Sequence, residues 1–87
     1  MDTRVAVISI IVENPEAIET LNHLLHEAVQ YIIGRMGIPY REKGINIISI
    51  AIDAPQDVIS MLSGKIGRLS GISTKTAYSN IITKAGE

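Results

Sequence analysis

The sequence predicts one small α+β domain of element order β-α-β-β-α-β. Three features predict it: an internal repeat, apolar runs whose period switches between that of a strand and that of a helix, and a charged turn near the middle. Shifting the chain by forty positions lays Ile8-Ser9-Ile10 on Ile48-Ser49-Ile50, Pro15 on Pro55 and Ile32 on Ile72. Between these identities Val12 falls on Ile52, Glu13 on Asp53, Ile18 on Val58 and Thr20 on Ser60. Self-similarity at this spacing marks one supersecondary unit used twice.

Each copy opens on a β-rich run, Val5 to Val12 and Ile45 to Ile52, followed by an acidic residue and a proline. Proline has no amide to lose in a first helical turn, so Asn14-Pro15 and Ala54-Pro55 read as helix starts. Ile18, Leu21, Leu25 and Ala28 form the apolar stripe of the first helix, with Leu24 beside it. Val58, Leu62, Ile66 and Leu69 form that of the second, and Ser70-Gly71 ends it. Tyr31 to Tyr40 is the second strand, broken by Gly34 and Gly37, and Pro39 within it suits a sheet edge. Arg41-Glu42-Lys43-Gly44 is a hairpin turn. Ile72 to Ile82 is the last strand, and Lys75 places it at the other edge. This is the split order of the ferredoxin-like fold: one domain over residues 1–87, an antiparallel sheet of order 4-1-3-2, and two helices on one face.

Composition narrows function by exclusion. The chain has 87 residues, 46% hydrophobic, and its aromatic residues are Tyr31, Tyr40 and Tyr78, so Ile, Val and Leu build the core. A formal net charge of −1 gives no basic field for nucleic acid. Without cysteine there is no disulfide, thiolate metal site or cysteine nucleophile. Met1 to Arg4 leads straight into a strand with no basic leader, and the apolar runs are too short to span a bilayer as helices, so the expectation is a soluble, cytoplasmic protein with no membrane partner.

Strand residues alternate between faces, and the repeat assigns the sides. Ile8, Ile10, Val12, Ile32, Ile48, Ile50, Ile52 and Ile72 belong under the helices. The opposite face then carries Val5, Val7, Ser9, Ile11, Ile33, Arg35, Ile45, Ile47, Ser49, Ala51, Lys75 and Ala77. A sheet with helices on one side only would turn a polar second face to water. This one is apolar, so the chain is expected to pair with itself through it, as a homodimer or homotetramer.

Sites for chemistry are sparse. An acylphosphatase-like reaction needs a phosphate-gripping arginine after the first strand, where this chain has Glu13-Asn14-Pro15. RNA recognition needs aromatic residues on the central strands, where it has Ser9 and Ser49 among aliphatics; a copper chaperone needs a cysteine pair. Neither serine has a base near it in sequence. Leu62-Ser63-Gly64-Lys65-Ile66-Gly67 echoes a phosphate loop but lacks its spacing and continues a helix instead of opening one. His23 and His26, three apart on the first helix, offer an alternative metal-binding reading, though they lie on its polar side without a full ligand set. Arg35, Tyr40, Arg41 and Lys43 gather around the second strand and its turn, with Gly37 permitting close backbone approach. They suit either an anion or effector site at a subunit boundary or a charged edge guarded against aggregation.

The run Ile33-Gly34-Arg35-Met36-Gly37-Ile38-Pro39-Tyr40-Arg41-Glu42, then Ile47-Ile48-Ser49-Ile50, Leu62-Ser63-Gly64-Lys65-Ile66-Gly67 and Gly71-Ile72-Ser73-Thr74-Lys75-Thr76, resembles the iron-only hydrogenase system regulators over essentially the whole chain. That resemblance implies an ACT-like ferredoxin fold similar to the effector-binding domain of nickel-responsive repressors. It also implies a role in regulating hydrogenase transcription or maturation. The chain departs from those repressors in having no ribbon-helix-helix segment ahead of its first strand, and in carrying Arg35 and Gly37 where they carry histidines. The expectation is therefore a non-enzymatic, oligomeric regulatory module without cofactor and without direct nucleic-acid binding. Its other partner would be a small-molecule effector, held between subunits around Asn14, Arg35, Gly37, Tyr40 and Arg41, or a hydrogenase-related protein. A protein-interaction domain without any ligand is the alternative.

Overall fold

In a computed structural model, which describes residues 2–83, the β-branched run Thr3–Val12 forms strand β1 and its repeat Ile45–Ala54 forms β3. The two pair antiparallel in the centre of the sheet with Ile8 opposite Ile50 and Ser9 opposite Ser49. Every second residue is buried: Ala6, Ile8, Ile10 and Val12 from β1, and Ile48, Ile50, Ile52 and Ala54 from β3. Strand β2 (Ile32–Tyr40) flanks β3, and β4 (Ile72–Thr83) flanks β1, so the order is β2-β3-β1-β4. That is the 4-1-3-2 sheet expected of the repeat. The described residues contain no helix long and apolar enough to cross a membrane.

Helices α1 (Ile18–Glu27) and α2 (Gln56–Gly67) cover one face. Leu21 and Leu25, with Ala28 just past its end, close over the sheet from the first, and Ile59, Leu62 and Ile66 from the second. Each fully buried Ile or Leu in this layer contributes about 1.5–3 kcal/mol relative to an exposed one. In the second helix Leu62 and Ile66 are buried as the expected stripe requires, and only its first position differs: Ile59 is fully buried, while Val58 is half-buried. The prolines also differ from expectation. Pro15 opens a separate 3-10 turn, Pro15–Ala17, ahead of α1, and Pro55 stays outside α2 in extended backbone with φ −56° and ψ 147°.

The end of β1 is fastened to the start of β4. The Glu13 amide donates to the Gly71 carbonyl at 2.7 Å. Gly71 has φ +76°, and a Cβ added there would lie 2.3 Å from the Asn14 Cβ. Only glycine meets both demands, positive φ and absent side chain. Gly44, at φ +64°, closes the turn Arg41–Lys43 between β2 and β3.

A bulge in β2 corrects the assignment of Arg35. Ile32 lies opposite Ile52, but Gly34 lies opposite Ala51 and Arg35 opposite Ile50, with an irregularity between Ile32 and Gly34. One extra residue at Ile33 reverses the alternation beyond it. Arg35 therefore lies on the helix side, and Met36, Ile38 and Tyr40, opposite Ser49, Ile47 and Ile45, lie on the uncovered side. Gly37, opposite Ile48, does not serve close approach within the chain: a Cβ there would meet nothing within 4 Å.

Gly71→Ala is expected to lower unfolding free energy in urea by about 2 kcal/mol or more, through strain at positive φ together with the clash. Gly37→Ala, with open space around it, is expected to be neutral or slightly stabilising. Equal losses in the two variants would refute the distinction.

Candidate functional site

The residues expected to form an effector site take three separate directions. Asn14 caps the Pro15–Ala17 turn, its Oδ1 accepting from the Glu16 amide at 3.1 Å, and leans toward Gly71 at β4. Arg35 crosses to α1, where its Nη2 donates to Asn22 Oδ1 at 2.8 Å. Tyr40 stays on the uncovered face, its hydroxyl donating to Glu42 Oε2 at 3.2 Å, and Arg41 lies in the adjacent turn. Strand β3 separates β2 from β1, an offset of two strand spacings, about 10 Å. One chain thus does not bring Asn14, Arg35 and Tyr40 to a common point.

His23 and His26 are exposed on α1, and His23 Nε2 lies 3.4 Å from Glu27 Oε1, one helical turn along. Among the described residues no group of three or more His, Cys, Asp or Glu is placed to hold a metal ion.

The uncovered face of the sheet, by contrast, is one continuous surface. Reading across the four strands, Ile38, Ile47, Ile11 and Ser73 share one row. Met36, Ser49, Ser9 and Lys75 share the next. Ala51, Val7 and Ala77 lie beyond these, and Asp53 and Val5 beyond them. Val5 is 42% exposed, Ile11 43% and Ile47 36%, and Ile33, at the bulge, is 63% exposed. Met36 and Ile38 join this surface, which strict alternation from Ile32 hides.

Two further features escape the sequence pattern. Arg4, on the helix side of β1, lies over the Tyr78 ring at 4.9 Å to the centroid, and its guanidinium donates to Gln56 Oε1 at 3.0 Å and to the Ser79 carbonyl. The cation and ring face attract, so Arg4 ties the starts of β1 and α2 to the middle of β4. A groove of about 160 Å3 also opens between the helices, floored by Ala28 and Leu62, walled by Leu24, Tyr31 and Met61, and flanked by Glu27 and Lys65. Leu24 beside the first stripe is its one trace in the sequence.

The family described as "TM1266-like: Iron-only hydrogenase system regulator, putative" matches residues 4–76. The chain belongs to this family. The solved structure of TM1266 from Thermotoga maritima is 35% identical, covers 87% of this chain and 96% of its own, and superposes with a TM-score of 0.84. A formyltetrahydrofolate deformylase from Pseudomonas putida KT2440 shares the fold at a TM-score of 0.65 with 13% identity, over 88% of this chain and 29% of the enzyme. At that identity the likeness shows the ferredoxin-like architecture alone. Among curated proteins none matches.

The segments that carry the family resemblance have structural work in this fold. Arg35-Met36-Gly37-Ile38-Pro39 is the edge strand beyond the bulge, and Leu62-Ser63-Gly64-Lys65-Ile66-Gly67 is the last part of α2. A Cβ at Gly67 would come 3.4 Å from the Thr74 methyl, an ordinary van der Waals contact, so the end of α2 packs on β4 there.

Asn14→Ala is expected to cost about 1 kcal/mol in a urea melt, through loss of the cap. Arg35→Ala, which removes an exposed hydrogen bond, is expected to stay within about 0.5 kcal/mol. A neutral Asn14 variant would show that the cap contributes nothing.

Proposed function

We propose that this member of the iron-only hydrogenase system regulator family is a non-enzymatic regulatory module of the cytoplasm, acting as a homo-oligomer assembled through the uncovered face of its sheet. The observation that carries the reading is an aliphatic surface on the side of the sheet away from the helices. Four strands at about 4.8 Å spacing and ten residues at about 3.3 Å rise make a projected face of roughly 600 Å2, close to the roughly 800 Å2 that each partner contributes to a stable interface. Water is a poor neighbour for such a patch, and monomers rarely keep one that large exposed. The family description supports the regulatory part, and the absence of cysteine from the sequence fits a role without thiol chemistry.

An effector at the subunit boundary is supported by Tyr40, whose side chain shares the uncovered face with Ile45 and Ile47. The groove between the helices supports a different location for a small apolar ligand, away from any sheet contact.

Sedimentation velocity at micromolar concentration is expected to give a dimer or larger species for the unaltered chain and a folded monomer for Ile11→Asp/Ile47→Asp, with unchanged far-UV circular dichroism. A monomeric unaltered chain would count against assembly. Deleting the protein from a bacterium that depends on iron-only hydrogenase is expected to change hydrogenase abundance or activity, and unaltered levels under all growth conditions would remove the regulatory reading.

A further inference from the structure

We propose that two copies of this chain meet sheet to sheet with Lys75 of each paired to Asp53 of the other, so that the dyad passes over Val7; this rests on the assembly reading above. Among the described residues, the strands carry four charged side chains: Arg4, Arg35, Asp53 and Lys75. Arg4 and Arg35 lie on the helix side, where they bond Gln56 and Asn22. That leaves one cation and one anion on the uncovered face. Lys75 lies opposite Ser9, and Asp53 opposite Val5, both exposed and neither in an ion pair within the chain among the described residues.

Covering this face takes both charges out of water, and an ion buried without a counter-charge is strongly disfavoured. The two cannot satisfy each other in one chain. From Lys75 to Asp53 is two strands across and four residues along, about 16 Å at ordinary strand spacing and rise. In an isologous interface, contact of one residue with a second in the partner implies the reverse contact too. A single symmetric arrangement therefore neutralises both charges twice over. Its axis is fixed by the register. Lys75 to Val7 is one strand and two residues, and Val7 to Asp53 is the same step again, so Val7 is the midpoint between the charges. The polar pair then selects one registration from the many that a smooth aliphatic surface permits.

Charge exchange tests this with surface substitutions that leave the core untouched. Lys75→Glu and Asp53→Lys are each expected to raise the dimer dissociation constant about tenfold or more by sedimentation equilibrium, since like charges then face each other. The double variant Lys75→Glu/Asp53→Lys is expected to return to within about threefold of the unaltered chain. An equimolar mixture of the two single variants is expected to form a heterodimer by native mass spectrometry, because both cross-pairs are then attractive. The chain has no cysteine of its own, so Val7→Cys is expected to cross-link with a short bismaleimide, and Ile11→Cys, far from the axis, is not. Dimers undiminished in both single variants would overturn the pairing while leaving assembly intact. An unaltered chain that stays monomeric would overturn assembly itself.

Discussion

The structure depends on the side-chain alternation of its two central strands. Along β1 and β3, Ile8 meets Ile50 on one side of the sheet and Ser9 meets Ser49 on the other, and the helices cover only the first side. A slip of one residue in either strand would drive its serine and one-sided neighbours into the core and turn its isoleucines outward. Register is therefore held by the buried layer of Ile8, Ile10, Ile50 and Ile52 against Leu21, Leu25, Ile59 and Ile66. The positions of the edge strands, the turns and the uncovered face follow from it.

The two halves of the repeat share this plan but end differently, and the difference is local chemistry. In the first half Asn14 caps a 3-10 turn before α1 begins, whereas in the second Ala54 is buried and Pro55 leads directly into α2. Asn14 has a further constraint: it packs against the backbone of Gly71, where the second half starts its last strand. The loop after β1 is thus a joint between halves, and its polar residue is occupied by the fold. An asparagine there looks like a ligand contact in sequence only because its capping bond and its packing against Gly71 are invisible to spacing.

What the sequence made legible was whatever has a period. The strands, the helix faces and the apolar character of the second sheet face follow from repeating patterns in Ile, Val and Leu, while the charged turn ending at Gly44 marks the hairpin and Pro39 and Lys75 mark the edges. The misplacement of Arg35 came from an interruption of period: a bulge at Ile33 adds one residue, and every assignment beyond it inverts. Gly34 marks the spot, but a glycine in a strand signals a bulge, a bend or a close approach without choosing among them. Arg4 escapes the pattern for a related reason. It precedes the apolar run and its partners, Gln56, Tyr78 and Ser79, are remote in sequence. Ile59 and Val58 are adjacent apolar residues, and only the roll of the helix on the sheet decides which of them is buried.

The same strands that form the core also form the exposed aliphatic surface, so folding and the proposed assembly would share one scaffold. A partner laid on the uncovered face would hold β1, β3 and β4 from the side opposite the helices, and anything that binds the folded state alone stabilises it by mass action. Small domains gain most from this, since a chain of this length buries a limited share of its surface unaided. The arrangement also gives a regulatory module a direct lever. A ligand or protein that competes for the sheet face, or favours its covered form, changes both the number of folded molecules and the surfaces they present, without any catalytic group being needed. On the proposed assembly, a shift in subunit association would be the readable state of the molecule, and pairing of Lys75 with Asp53 across copies would hold the associated state to a single geometry.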